Sequence, residues 1–297
     1  MVRANSGAAR AKGKLRRTTL FDIVNATLLG LIGFSMLYPI LNLLITSFSS
    51  ITDVMASHYG FLLPKSIDLD AYRYILKFST LWNAYGNTIH LTLVGTSINL
   101  FMSTLSAYVL SERRLPGRGI MMTFVLITMF FSGGLIPSFI LISRLGMVNT
   151  LWALMIPGAI STWNMIIMRN FFQGISESIK ESARIDGAGE IMILIRIILP
   201  LSPSVLATMA LFYGVGHWNQ YSSAIIYLNN PSLYPLQVVI RQMYAQAIQE
   251  IESDALPPPV ETVRAAAVML ALVPVLCVYP FLQKYFVKGI MVGALKE

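Results

Sequence analysis

The chain has 297 residues, of which 55% are hydrophobic and only 12% are charged, and its mean hydropathy is +0.65. This composition excludes an ordinary soluble domain and is typical of an integral membrane protein. The net charge of +8 does not indicate nucleic-acid binding, because the basic residues lie beside apolar runs and form no long basic face. We therefore predict an all-α protein embedded in a lipid bilayer, with no nucleic-acid partner.

The N-terminal tail, residues 1–18, carries six basic residues and no acidic residue. A signal or transit peptide would share this pattern, but the apolar run that follows, 20–48, is too long for a signal sequence and lacks a small-residue cleavage site. It predicts a first transmembrane helix with a kink at Pro39. A mixed polar loop then occupies about 49–83.

Five further apolar runs predict five further transmembrane helices, which gives a six-span domain over 19–288. These runs cover about 85–110, 120–142, 151–172, 191–213 or 201–213, and 262–286.

Within these runs, glycine and proline indicate local breaks. The glycine pair before Pro137 should loosen the third span, and the sixth should be interrupted at Pro274 and Pro280. A second polar loop is predicted at about 220–261, and the chain ends in a C-terminal tail, 289–297, with basic residues in and just before it at Lys284, Lys288 and Lys296. The single cysteine, Cys277, lies in an apolar run, excludes an internal disulfide and is predicted to be buried.

The distribution of basic residues predicts the orientation of the chain in the membrane. Of the 22 lysines and arginines, 16 lie in the N-terminal tail, in the turn between the second and third spans, around the hairpin from Arg169 to Arg196, and at the C-terminal end from Lys284 onward. Cytoplasmic segments carry the excess of such residues. Both termini and the segment around Glu181 are therefore predicted to be cytoplasmic, and the loops at 49–83 and 220–261 face outward.

A polar hairpin at about 176–200 separates the fourth and fifth spans. Ser178 and Glu181 have the spacing of a capping box, which predicts a short helix that begins at Ile179, and Gly187 supplies the left-handed position that ends it. A second helical run should start near Gly189 and stop at Pro200.

The spacing of residues in this hairpin predicts an amphipathic first helix. Ile175, Ile179 and Ala183 fall on one stripe, and three charged residues should face water. These residues are Lys180, Glu181 and Arg184. A polar hairpin outside the bilayer needs a partner surface.

The chain shows no chemistry that would energise transport or catalysis. The interiors of the predicted spans hold no Asp or Glu, and His90 and His217 near span ends are predicted to be structural, which disfavours an ion-coupled carrier or channel. The sequence has no phosphate-binding G-x-x-x-x-G-K-[ST] motif and no metal or nucleophile motif of an intramembrane enzyme. We predict a non-catalytic subunit that binds no cofactor and is driven by another polypeptide.

The hairpin also resembles a known family. Its residues match, in order and spacing, the E-A-A-x-x-D-G-A-(x)8-I-x-L-P signature of permease subunits of bacterial ATP-binding-cassette importers. The matching positions are Glu181, Ala183, Asp186, Gly187, Ala188, Ile197, Leu199 and Pro200, with departures at Ser182 and Leu194. The runs G-G-L-I-P at 133–137, L-G-M-V-N-T at 145–150 and W-N at 218–219 are similar to carbohydrate-importer permeases of the maltose type. The resemblance extends from Thr19 to the end of the chain.

The resemblance implies a type I importer permease fold in the bacterial inner (cytoplasmic) membrane. It further implies a second, related permease, two copies of a cytoplasmic ATPase that hold ATP and Mg²⁺, and an extracytoplasmic solute-binding protein that meets the outward loops. Segment 179–188 would be the coupling helix, with ATPase-coupling residues Glu181, Ser182, Ala183, Asp186, Gly187 and Ala188. A connector helix lying on the membrane surface is the alternative interpretation.

The sugar route is expected to be lined by amides, which bond hydroxyl groups, and by aromatic rings, which stack on sugars. The candidates are Asn87, Asn99, Trp163, Asn164, Tyr213, Trp218 and Asn219. Each has an alternative role in packing or in the interfacial aromatic belt. The sequence does not identify the sugar.

Overall fold

The computed structural model describes residues 20–50, 54, 67–251 and 260–294, and no strand occurs among them. The basic tail 1–18, most of segment 51–66, the proline run at 257–259 and residues 295–297 lie outside the described residues. The helices are α1 (Leu20–Ser47), α2 (Asp70–Leu76), α3 (Ser79–Ser111), α4 (Arg118–Phe130), α5 (Leu135–Arg144), α6 (Trp152–Met155), α7 (Thr162–Gln173), α8 (Glu177–Ile185), α9 (Glu190–Leu201), α10 (Pro203–Trp218), α11 (Ser222–Tyr227), α12 (Leu236–Ile251) and α13 (Val260–Ala294).

Among the described residues, three helices are long and apolar enough to cross a membrane. They are α1, α3 and the first part of α13. Two bent pairs bring the number to five if each pair is one span: α4 and α5 meet at 112°, and α9 and α10 meet at 86°. The all-α membrane prediction is confirmed, but the count of six spans is not.

The predicted fourth span, 151–172, matches neither a single spanning helix nor a bent pair among the described residues. The chain makes a single turn in α6, leaves the helical path at 156–161, and resumes in α7, which has 12 residues. Pro157 explains the break, since a proline removes a helical hydrogen bond and clashes with the preceding turn. Twelve residues rise about 18 Å, which is less than the ~30 Å hydrocarbon thickness.

At the other predicted breaks, the structure confirms one prediction and contradicts another. The bend between α4 and α5 confirms that the segment before Pro137 loosens the third span. The interruption predicted in the sixth span is wrong, because α13 continues through Pro274 and Pro280. Helix α1 likewise contains Pro39 and packs along α13. Neighbouring helices and local adjustments can satisfy the backbone groups that a proline frees in a membrane helix.

The two predicted outward loops contain helices. Helix α2 and the first turn of α3 lie within 49–83, and α11, the 3₁₀ turn Pro231–Leu233 and α12 lie within 220–261. Helix α12 was missed because its mixed polar sequence lacks the continuous apolar run used to find spans; one side of it is buried, with Leu236, Val239 and Met243 in contact with α3 and α13. Cys277 is exposed rather than buried.

Helix α3 organises the described core. Near its start it packs with α2, α12 and α13, in its middle with α6 and α11, and in its C-terminal half with α7 and α10. A π-helical turn at Leu91–Gly95 interrupts its regular hydrogen bonding. Because α3 is continuous from Ser79 to Ser111, it connects the end that carries α12 to the end that carries the hairpin.

Candidate functional site

The first helix of the hairpin begins two residues earlier than predicted. Ser176 has an extended backbone and precedes α8, which starts at Glu177. Ser178 is already helical, so it does not cap the helix, and its hydroxyl lies 2.7 Å from the Ser176 hydroxyl. The capping box at Ser178 and Glu181 is therefore wrong, because a capping residue must lie outside the helical backbone.

The end of α8 is closed by a Schellman motif centred on Gly187. The backbone N–H of Ala188 donates to the Ala183 carbonyl at 2.9 Å, and the N–H of Gly187 donates to the Arg184 carbonyl at 3.1 Å. Gly187 has φ of +84°, the left-handed conformation that this motif requires. Ala183 and Ala188 pack in the same apolar cluster. The predicted helix stop at Gly187 is confirmed.

The second arm of the hairpin is longer than predicted. Gly189 is extended and caps α9, which starts at Glu190 and passes through a π-helical turn at Leu194–Ile198. Pro200 lies within the last turn of α9, and the 86° bend follows at Ser202. The helix therefore ends one residue beyond Pro200, at Leu201.

The buried and exposed faces of α8 differ from the prediction. Ala183 is buried as expected, but Lys180 is 1% exposed, although we expected it to face water. Ile179 and Ile185 are exposed, Ile185 at 85%. Lys180 can be buried because its ammonium group donates to a Glu177 carboxylate oxygen at 3.4 Å.

Arg184 pairs with three carboxylates, of which Glu112 lies at the end of α3, and so does not face water freely as predicted. Its Nη2 donates to Glu112 at 2.6 Å, its Nε to Glu190 at 2.9 Å, and its Nη1 to Glu177 at 3.3 Å. The Tyr108 hydroxyl of α3 donates to the second Glu190 oxygen at 2.6 Å. Charge-assisted hydrogen bonds of this kind are stronger than neutral ones, so α3, α8 and α9 are held as one unit.

The charges in this network reinforce one another. Hydrogen bonds to Glu190 and then Glu112 raise the pKa of Arg184. Partial burial alone would raise the pKa of Glu112, but hydrogen bonds from Arg184 and from the Arg114 backbone, with the nearby positive charges, hold it below its ordinary value. Glu112 therefore stabilises the fold above its ordinary pKa, and this contribution is lost as the pH falls through the lowered pKa.

Glu181 differs from the other predicted coupling residues because it forms an ion pair with a residue outside the hairpin. It is half-exposed and pairs with Arg114, from the turn between α3 and α4. Ser182 and Asp186 lie at the end of α8, where the Asp186 N–H donates to the Ser182 carbonyl at 3.0 Å. Among the described residues, no group of three or more His, Cys, Asp or Glu could hold a metal ion.

Three of the predicted sugar contacts bond to other parts of the chain. Asn99 donates to the Gly158 carbonyl at 2.6 Å and its side-chain oxygen lies 2.7 Å from His217 Nε2. The Tyr213 hydroxyl lies 2.6 Å from the Ser103 hydroxyl, and Trp218 donates to the Ala271 carbonyl at 3.1 Å. All three candidates are buried.

The other four candidates are spread over the molecule. Asn87 donates to the Ser232 and Tyr234 carbonyls at 2.8 and 3.2 Å, near the start of α12. Asn164 is buried, Trp163 is 60% exposed, and Asn219 is exposed and accepts a bond from Gln237 at 3.4 Å. The structure does not gather the seven into one site, and their contact with substrate stays a prediction.

Sequence reasoning missed the polar contacts that hold the irregular segment 156–161. Besides Asn99, Tyr213 accepts from the Ser161 N–H at 3.3 Å, and Gln220 donates at 3.0 Å to the Leu154 carbonyl of α6, just before the segment. Non-helical backbone at membrane depth is tolerated only where the protein satisfies it. The proline and glycine at 157–158 signal the break, but no sequence pattern identifies the partners.

Comparison with known proteins gives concordant matches. Residues 91–292 match the family described as binding-protein-dependent transport system inner membrane component. The polygalacturonan/rhamnogalacturonan transport system permease protein YtcP of Bacillus subtilis (strain 168) is 39% identical over 286 residues, covering 94% of this chain and 99% of that protein. Protein LplC of the same organism is 40% identical over 281 residues, covering 93% and 95%.

A solved structure is also similar. It is a chain of a bacterial ABC transporter involved in the import of the acidic polysaccharide alginate, matched with a TM-score of 0.81 and 35% identity over 90% of this chain and 96% of that chain.

Proposed function

The chain belongs to the family of binding-protein-dependent transport system inner membrane components, and we propose that it forms half of a sugar or oligosaccharide pathway. It is a permease subunit of an ABC importer, so family membership gives no support to an ion-coupled carrier. The proposed complex contains a second related permease, two copies of a cytoplasmic ATPase and an extracytoplasmic solute-binding protein. The relatives named for polysaccharide transport support a carbohydrate substrate.

The observation that carries the coupling role is the rigid attachment of the hairpin at 176–200 to α3. Arg184, Glu112 and Glu190 join α8 and α9 to the end of a helix that runs through the described core. Force applied to α8 would therefore be transmitted to α3. The exposed Ile179 and Ile185 supply apolar surface for a partner. In this proposal the exposed Asp186 and the half-exposed Glu181, beside its partner Arg114, contact polar groups of the ATPase.

The proposed orientation places the hairpin and both termini in the cytoplasm, in a bacterial inner membrane. The start of α12 and the Asn87 contacts then lie at the outer end, where the solute-binding protein would deliver substrate. Asn87 and Glu112 are 25 residues apart on and just beyond α3, or about 37 Å at the helical rise, which is sufficient to cross the ~30 Å hydrocarbon layer.

The test is purification of this chain from its native membrane, followed by reconstitution with its solute-binding protein. We expect a stoichiometric ATPase and a second permease to copurify, and oligosaccharide uptake to require ATP hydrolysis. A substitution of the catalytic glutamate in the ATPase should abolish uptake without releasing that subunit. Uptake by this chain alone, driven by an ion gradient, would contradict the proposal.

A further inference from the structure

A cavity of about 350 Å³ lies between the start of α12 and the first turns of α13, at the end of the molecule opposite the hairpin. Its polar lining comes from Tyr221, Gln237, Arg241, Tyr244 and Arg264, and its apolar lining includes Val263. The volume lies within the range of roughly 300–1,000 Å³ that small-molecule sites occupy. None of these six residues takes part in the hairpin.

The charged side chains that line the cavity are both positive. Its lining contains two guanidinium groups and no carboxylate, as far as the described residues extend. Neither Arg241 nor Arg264 forms an ion pair with a described residue, although acids pair with arginines elsewhere in the chain. Two guanidiniums beside one cavity repel each other unless an anion lies between them, so the site is complementary to a negative charge.

Aromatic rings hold both guanidinium groups. The Arg241 Cζ lies 5.6 Å from the centroid of the Tyr221 ring, and the Arg264 Cζ lies 5.7 Å from that of Tyr244. A cation over an aromatic face within about 6 Å is attracted to it, and this attraction restricts the rotamers of a long side chain. Less entropy is then lost when a ligand binds.

The helices that carry these side chains are firmly anchored. The N–H of Leu236 at the start of α12 donates to the Thr88 hydroxyl of α3 at 2.8 Å, and Leu236 and Val239 are buried. Val263 of α13 is fully buried in the same cluster. The two helices that line the cavity are therefore fixed to each other and to α3 by buried apolar contacts.

We propose that this cavity binds a uronate residue of an acidic oligosaccharide. In this site the guanidinium groups of Arg241 and Arg264 bind the uronate carboxylate. The proposal rests on the function proposed above and names its substrate class. The Gln237 side-chain oxygen, which takes no part in the bond to Asn219, is available to a sugar hydroxyl, and the apolar lining around Val263 is available to the C–H face of the ring. A guanidinium fork matches the geometry of a carboxylate, and a neutral sugar would leave both charges unsatisfied.

The experiment compares trigalacturonate with its fully methyl-esterified form, which has the same ring framework without the charges. Binding is measured by calorimetry on the purified complex of both permeases and the ATPase, without the solute-binding protein. We expect trigalacturonate to bind at least about tenfold more tightly than the ester. The variant R241Q/R264Q should weaken trigalacturonate binding by about tenfold or more and change ester binding by less than about twofold.

The matched control is Arg144→Gln, which removes an exposed arginine at the end of α5 and should leave both dissociation constants unchanged. R241K/R264K should restore part of the binding, because it keeps the charges and loses the fork. Copurified ATPase and the thermal unfolding midpoint verify that each variant is assembled. Equal loss of acid and ester binding in R241Q/R264Q, or unaltered binding of both, would overturn the proposal.

Two further arms separate this proposal from other anion sources and from the proposed function. Displacement of trigalacturonate by inorganic phosphate or by phosphatidylglycerol at equal concentration would identify a general anion site and overturn the uronate assignment. ATP-driven uptake by the wild-type importer is measured in parallel with neutral and acidic oligosaccharides. Uptake of neutral sugars alone would refute the uronate site and leave the proposed function intact, whereas no ATP-driven uptake of any sugar would refute both.

Discussion

At the residue scale, the hairpin requires glycine at position 187 for its backbone conformation and not for lack of space, and Gly189 provides the comparison. An added Cβ would meet nothing within 4 Å at either position. Gly187, however, has φ of +84°, whereas Gly189 has φ of −73° and ψ of 160°, a region that any residue adopts. Side chains are therefore excluded at Gly187 by backbone strain alone, and Gly189 is a matched control.

Replacement of Gly187 by valine should disrupt coupling. A residue other than glycine in the left-handed conformation costs roughly 1–2 kcal/mol, and a β-branched residue costs more, so the Schellman motif should open. We expect Gly187→Val to lower ATP-driven uptake by about tenfold or more and to weaken ATPase attachment, while Gly189→Val has little effect on either. Wild-type uptake and attachment in Gly187→Val would show that α8 is not the coupling element.

At the element scale, the irregular segment 156–161 depends on contacts from two other helices. Asn99 of α3 bonds to Gly158 and lies against His217 of α10, whose ring also lies 3.3 Å from the Gln220 amide oxygen. His217 packs directly on Gly95, at the end of the π-helical turn of α3. Because α3 and α10 approach each other closely here, the side chains of Asn99, His217 and Gln220 can form one connected series of hydrogen bonds.

Gly95→Ala should break this arrangement. The new Cβ would lie 2.5 Å from His217 Nε2, and overpacking of a filled site costs about 1–3 kcal/mol. We expect a lower thermal unfolding midpoint in purified protein. Gly86→Ala is the control on the same helix, because its Cβ would meet nothing within 4 Å and alanine favours the helix by up to about 1 kcal/mol. Equal midpoints for the two variants would mean that the His217 contact does not stabilise the fold.

At the scale of the whole molecule, α3 separates two chemically different ends. The hairpin end carries the Arg184 network, and the opposite end carries the cavity beside Arg241 and Arg264. The proposed direction of transport requires the first end to be cytoplasmic and the second to face outward. The distribution of basic residues supports this orientation.

Cysteine labelling tests the orientation. Cys277 is the only cysteine and is exposed, so it is first replaced by serine. A membrane-impermeant maleimide should then label Pro116→Cys, in the turn after α3, only in inside-out vesicles. Ser232→Cys, near the start of α12, should react only in right-side-out vesicles. Both positions are exposed in the structure. Labelling of both from the same side would contradict the proposed topology.

The sequence predicted those features that local rules control. Apolar runs identified the all-α membrane class, and Gly187 identified the end of α8, since a left-handed helix stop needs glycine whatever surrounds it. Predictions that depended on exposure failed at Lys180 and Cys277. Burial is decided by neighbours that are distant in sequence, which no periodicity reveals.

The sequence by itself determined the class of protein, the position of the hairpin and the residues that match the permease signature, because hydropathy, turn chemistry and motif spacing are properties of neighbouring residues. Only the tertiary structure decided that Arg184 joins the hairpin to Glu112, 72 residues away in the chain, and that Arg241 and Arg264 share one cavity. An ion pair or a binding site forms wherever packing brings side chains together, and packing of α3 against the later helices determines both.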